Sequence, residues 1–203
     1  MAKRPENIYP VFHKIIQRKD KEKRLNQKAK VVWFTGLSGA GKTTLAKRLE
    51  EELFGRNFMV QILDGDNIRS GINNNLSFSE EGRRENIRRI AEVSKLFLNC
   101  GIIAINSFIS PTQEMRHIAR EIIGPEDFIE VYINAPLEVC EERDVKGLYA
   151  RARRGEIPDF TGISSPFELP HEANLEIRTD LYSIEECVQQ LLDYLIPKIQ
   201  LNG

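Results

Sequence analysis

The chain has 203 residues, enough for one domain with a substantial core. Its 29 lysines and arginines balance 30 aspartates and glutamates, and a net charge of −1 gives no support for nucleic acid as an obligate partner. No apolar run approaches the ~20 residues that span a membrane, the first residues lack the apolar core of a signal peptide, and three scattered cysteines suit neither zinc nor a disulfide framework; a cytoplasmic location is the expectation.

In chain order, residues 1–29 are polar and basic around a small apolar cluster of Ile8, Tyr9, Val11, Phe12, Ile15 and Ile16. They read as an irregular arm followed by a short helix. From Lys30 strands and helices alternate, and residues 30–203 are expected to form a single domain. Strands are expected at Val31–Thr35, Met59–Leu63, Ile102–Phe108 and Phe128–Ile133, with a weaker fifth near Leu175–Ile177. Helical patterns fall near Thr43–Phe54, Ser79–Cys100, Thr112–Ile123, Leu137–Arg143 and Ser183–Ile199. Ser77 to Glu80 and Ser183 to Glu186 read as capping boxes, and Gly101 and Gly124 as helix stops. Cys100 and Cys187 lie in apolar helix patterns, which favours burial. Alternation of this kind implies a mainly parallel five-stranded sheet covered by helices on both faces, with ligands beyond the carboxyl ends of the strands. Gly155–Pro170 has little periodicity and reads as a binding loop or lid, with Arg151, Arg153 and Arg154 leading into it either as lid charges or as a solvated helix face.

The first strand runs into Gly36-Leu37-Ser38-Gly39-Ala40-Gly41-Lys42-Thr43-Thr44, which fits the phosphate-loop pattern G-x-x-x-x-G-K-[ST] between a strand and a helix. The glycines let backbone N–H groups curl around the phosphates of ATP, Lys42 reaches the outer ones, and the Thr43 hydroxyl can hold Mg²⁺. The second strand ends in Asp64-Gly65-Asp66, a good turn sequence, where two carboxylates can orient Mg²⁺, with Asp64 the candidate ligand, or accept a proton from an attacking hydroxyl. The third ends in Ile109-Ser110-Pro111. Ser110 there reads as a helix N-cap with proline at the first helical position, in a place where it can also touch a substrate phosphate or be phosphorylated. The loop alone leaves other small-molecule kinases and nucleotide-dependent switches open.

The set formed by the phosphate loop, Asp64-Gly65-Asp66-Asn67-Ile68-Arg69, Phe78-Ser79, Arg84 to Ile90, Ser107 to Pro111, Lys146-Gly147-Leu148-Tyr149 and Phe160-Thr161-Gly162-Ile163 resembles the adenylylsulfate kinase family from about Asn7 onward. That resemblance implies a three-layer P-loop NTPase fold with a lid at about 146–170. It implies transfer of the ATP γ-phosphate to the 3′-hydroxyl of adenosine 5′-phosphosulfate, with Mg²⁺ as cofactor. By the same resemblance Asp64, Asp66 and Lys42 are catalytic. Arg69, Arg83 and Asn86 hold the phosphosulfate, Phe78 and Phe160 sandwich the acceptor adenine, Ile109 and Ser110 offer backbone contacts, and Lys146 reaches in from the lid. Ser110 matches the family's phosphoserine position. The resemblance also suggests a homodimer and leaves ATP sulfurylase as a separate partner. The chain departs from the family pattern at Ser70, Asn75, Thr112, Gln113 and Val145.

Overall fold

The computed structural model describes residues 7–201; the first six residues of the arm lie outside them. Five strands, β1 (Val31–Thr35), β2 (Val60–Asp64), β3 (Ile103–Ser107), β4 (Phe128–Asn134) and β5 (Leu175–Arg178), form one sheet in the order β2-β3-β1-β4-β5. Every pairing is parallel, so the fold is α/β. The two central strands are buried along their whole length, as parallel strands covered on both faces must be.

Nine helical elements accompany the sheet among the described residues: a 3₁₀ turn at Phe12–Lys14 and α1 (Arg18–Leu25), α2 (Lys42–Gly55), α3 (Gly65–Ser70), α4 (Glu80–Asn99), α5 (Gln113–Ile123), α6 (Leu137–Arg143), α7 (Leu148–Arg153) and α8 (Ile184–Ile199). One core layer packs Leu45, Leu49 and Leu53 of α2 and Leu191 and Leu195 of α8 against Val32, Phe34, Ile105 and Val131. The other packs Ile87 and Ile90 of α4 and Met115 and Ala119 of α5 against Val31, Trp33 and Ala104. The period-2 alternation of each strand thus feeds two separate cores.

Helix α1 docks at the amino ends of the strands. Arg18 grips Asp127 and the Ala29 carbonyl, while the buried Gln27 amide donates to the Met59 and Gly101 carbonyls. The carboxyl ends are therefore left to the site.

Four local expectations need correction. Cys100 is exposed, because it caps α4 after the last inward residue, Leu98, whereas Cys187 is buried. The first capping box does not form: Ser79 is the cap of α4 and accepts from the Gly82 N–H, and Gly82 has no side chain to return the bond. The Asp64–Asp66 turn continues into helix α3, capped by Asp64. Ser110 is not a helix cap; Thr112 is, accepting from the Met115 N–H. At Ser183 both halves of the capping box are present.

Candidate active site

The phosphate loop links β1 to α2 and is held open by contacts only glycine allows. A Cβ on Gly36 would lie 2.2 Å from the Ile133 carbonyl oxygen, and Gly39 and Gly41 have φ of 76° and 98°. The loop is braced from behind. Tyr149 Oη donates to the Ser38 carbonyl at 2.9 Å, Thr179 Oγ1 to the Ala40 carbonyl at 2.8 Å, and Arg143 to Thr179 and the Gly39 carbonyl. Lys42 Nζ folds back on its own loop, donating to the Gly36 and Leu37 carbonyls at 2.9 and 2.7 Å. Burial pushes its ammonium down to about 8.

At the next strand end, Thr43 Oγ1 donates to Asp64 Oδ2 at 2.8 Å and lies 3.4 Å from Ser107 Oγ. Asp64 and Ser107 are register partners at the tips of β2 and β3. One carboxylate and two hydroxyls give hard oxygen donors beside the loop, the kind of incomplete set that Mg²⁺ accepts when phosphates supply the rest. No cluster of three His, Cys, Asp or Glu side chains suited to a metal occurs among the described residues. Asp66 lies two residues on, in the first turn of α3, and its carboxylate meets Lys146, which spans from the segment preceding α7.

A second group lies along α3 and the start of α4. Arg69 stacks over the Phe78 ring at 4.2 Å and donates to the Leu76 and Ser77 carbonyls. Arg83 donates to Thr161 Oγ1 at 3.1 Å and to the Asp159 carbonyl, which fastens α4 to the two residues flanking Phe160. Neither arginine is in an ion pair with a carboxylate among the described residues. Both guanidiniums are held below their ordinary value by burial, Arg69 also by the charge of Arg83. Asn86 is buried and accepts from Asn73 at 3.0 Å. Phe78 is 64% exposed, so it is not the core residue that a helix entry would allow. Phe160 packs edge-on to Tyr149 with ring centroids 5.0 Å apart.

Ser110 is turned away from this cleft. It is 2% exposed, has φ of 46°, and its Oγ accepts from Trp33 Nε1 at 2.9 Å in the core. The Ile109 carbonyl is taken by Thr35 Oγ1 at 2.7 Å. The basic lead-in forms α7, whose Arg151, Arg153 and Arg154 pair with Glu156 and Glu141 on the surface, as a solvated helix face does. A hollow of about 550 Å³ near Tyr132, Pro136, Ile163 and Phe167 touches the loop only at Leu37 and holds none of the acids or unpaired arginines, so it lies beside the chemistry.

Sequence reasoning missed Ser107, Arg143 and Thr179 as parts of this site. Ser107 had a readable signal, since it ends the strand adjacent to β1, where a doubly covered parallel sheet binds ligands. Arg143 and Thr179 act on the loop's back through tertiary contacts and leave no local pattern.

The family model for adenylylsulphate kinase matches residues 28–178. An adenylyl-sulfate kinase of Bacteroides thetaiotaomicron is 59% identical over 194 residues, covering 96% of each chain. The structure of the Mycobacterium tuberculosis APS kinase in complex with AMPPNP and APS superposes with a TM-score of 0.80 at 45% identity, covering 83% of this chain and 98% of that one. A hexameric APS kinase from Thiobacillus denitrificans, of which this chain spans 30%, gives a TM-score of 0.65 at 30% identity. With a family model over most of the chain and a relative 59% identical along nearly its full length, the chain belongs to the adenylylsulphate kinase family.

Proposed function

We propose that this chain, an ATP-dependent kinase, transfers the ATP γ-phosphate to the 3′-hydroxyl of adenosine 5′-phosphosulfate, giving 3′-phosphoadenosine 5′-phosphosulfate and ADP. The observation that carries the acceptor assignment is the pair Arg69 and Arg83, half-buried and without acid partners beside the exposed Phe78 ring. Two such guanidiniums are costly to desolvate unless an anion completes them, and their planar forks suit sulfate and phosphate oxygens. The stacked ring suits a flat base, a contact that contributes about 1–3 kcal/mol.

The donor phosphates lie in the Gly36–Thr44 loop, with backbone N–H groups of Gly39, Gly41 and Lys42 around them. Lys42 leaves the Gly36 and Leu37 carbonyls to meet the outer phosphates. Thr43, with Asp64 and Ser107 beside it, would hold Mg²⁺, which supplies charge neutralisation on the transferred group. The acceptor adenine lies between Phe78 and Phe160, its phosphosulfate on Arg69, Arg83 and Asn86, and its ribose near the Ile109–Ser110 backbone and Lys146. The acceptor oxygen attacks γ-phosphorus in line, the bond to the β-phosphate oxygen breaks, and the hydroxyl proton passes to the Asp64–Asp66 carboxylate pair. Arg83 tethers the 159–161 segment over the site, which excludes water and limits hydrolysis. The buried, indole-bonded Ser110 favours direct transfer over a phosphoserine intermediate.

A coupled ADP-release assay across adenosine 5′-phosphosulfate, AMP and nucleosides, with product mass, tests the assignment. Turnover confined to the sulfated nucleotide is the expected result, and equal turnover of AMP would overturn it. A separate ATP sulfurylase would supply the acceptor, so adding one with sulfate should replace added acceptor in that assay. The chain is read as a homodimer with the exposed arm residues Tyr9, Phe12 and Ile16 at the contact; a monomeric mass in light scattering would contradict this.

A further inference from the structure

Arg116 on α5 lies outside every motif that led to the site, yet it is 4% exposed and each of its three guanidinium nitrogens meets a different segment. Nε is 3.0 Å from Glu130 Oε1 of β4, itself 6% exposed. Nη1 donates to the Ser110 carbonyl at 2.8 Å, and Nη2 to the Glu168 carbonyl at 2.9 Å. The guanidinium also lies 6.0 Å from the centre of the Phe167 ring, which stacks on Tyr132. The two segments that Arg116 joins are further laced together, the Glu168 N–H donating to the Pro111 carbonyl at 2.8 Å and the Gln113 N–H to Glu168 Oε2 at 2.6 Å.

A buried ion pair of this kind is weak support for stability, since well-packed apolar residues of like volume often serve as well. The fork does something an apolar residue cannot. Ser110 holds a left-handed backbone without being glycine, a conformation that persists only where its surroundings impose it. The bond to the Ser110 carbonyl helps to impose it, beside the Trp33 bond to Ser110 Oγ and the Thr35 bond to the Ile109 carbonyl. The bond to Glu168 holds the strap that leads back through Gly162 to Phe160. One side chain thus ties the backbone at Ser110 to the far end of the segment carrying Phe160.

We propose that Arg116, paired in charge with Glu130 and oriented by the Ser110 and Glu168 carbonyls, is a positioning residue of the acceptor site. The proposal rests on the acceptor placement argued under Proposed function. It assigns Arg116 no contact with substrate, and it predicts a defect confined to the acceptor side of the kinetics.

The test uses the full chain in three forms. Arg116→Met/Glu130→Met removes both buried charges at similar volume, so the core stays filled; Arg120, 3.6 Å from Glu130 Oε2, loses that partner but is partly exposed to solvent. Arg116→Lys keeps the charge facing Glu130 but loses the fork. Phe78→Ala serves as a reference that touches the acceptor directly. Thermal melts establish that each variant folds, and should the double variant fail to fold, Arg116→Lys carries the test. For both Arg116 variants the expected result is a KM for adenosine 5′-phosphosulfate raised about tenfold or more, with the KM for ATP within about twofold and kcat reduced less than kcat/KM for the acceptor. If Phe78→Ala raises the acceptor KM while folded Arg116 variants leave it unchanged, Arg116 is structural only and the proposal is overturned. If Phe78→Ala also leaves it unchanged, the acceptor placement itself fails and takes the proposal with it.

Discussion

Lys42 shows how a single residue can be read in two states. Its amine donates to the carbonyls of its own loop, and burial depresses it to about 8. Donor phosphates favour the charged form and raise it again. The sign follows: above about 8 the free protein has a neutral Lys42 and the complex a charged one, so nucleotide binding takes up a proton and affinity falls as pH rises through that value. Calorimetry of ADP binding just above that pH, in two buffers of different ionisation heat, should show uptake; identical heats would contradict it. Ser110 makes a different kind of prediction. Its hydroxyl satisfies the buried Trp33 indole N–H, so Ser110→Ala should cost about 1–3 kcal/mol of stability through the orphaned donor. Turnover should stay within about tenfold of the parent. Loss of all activity in a folded variant would restore a covalent role. Two departures from the family pattern find local uses, since the Thr112 hydroxyl caps α5 and Asn75 accepts from Arg89 at 2.9 Å; Gln113 lends Glu168 only its backbone N–H, and Val145 lies at the surface.

At the level of elements, the strand–loop–helix unit from Val31 to Gly55 was legible because each part carries its own signal. β-branched residues precede the glycines, and apolar Leu45, Leu49 and Leu53 follow at helical spacing. All five strands lie within a residue or two of where their apolar runs place them. The short helices α3 and α7 were harder. Asp64-Gly65-Asp66 is as good a turn as a helix start, and only the Asp64 carboxylate accepting from the Asp66 N–H decides it. At Ser110-Pro111 local rules pointed to a cap, and tertiary demand from Trp33 and Arg116 prevailed. The loop's own geometry yields a sharp expectation. Gly36→Ala would drive a methyl into the Ile133 carbonyl and into a φ of 148° that alanine disfavours. The variant should lose nucleotide binding by calorimetry well before it loses its far-ultraviolet signal. Undiminished ADP affinity would show that the close approach is unnecessary.

Across the whole molecule, the two ends of the sheet do separate jobs. Amino ends are sewn to α1 through Arg18 and Gln27, while carboxyl ends carry Thr43, Asp64, Ser107 and the Ile109–Ser110 turn. The phosphate loop follows β1, the Ile109–Ser110 turn follows the adjacent β3, and Asp64 ends β2, with Arg83 reaching Thr161 in the segment that follows β4 and Lys146 reaching back from that segment to Asp66. Under the proposed function, two substrates meet over the Asp64–Asp66 pair, and the buried, indole-bonded Ser110 hydroxyl lies out of the line between them. Transfer of a chiral, isotopically labelled γ-phosphate tests this most directly. The account predicts inversion at phosphorus in the 3′-phosphorylated product, the mark of a single in-line step; retention would mean two transfers through the protein and would contradict it.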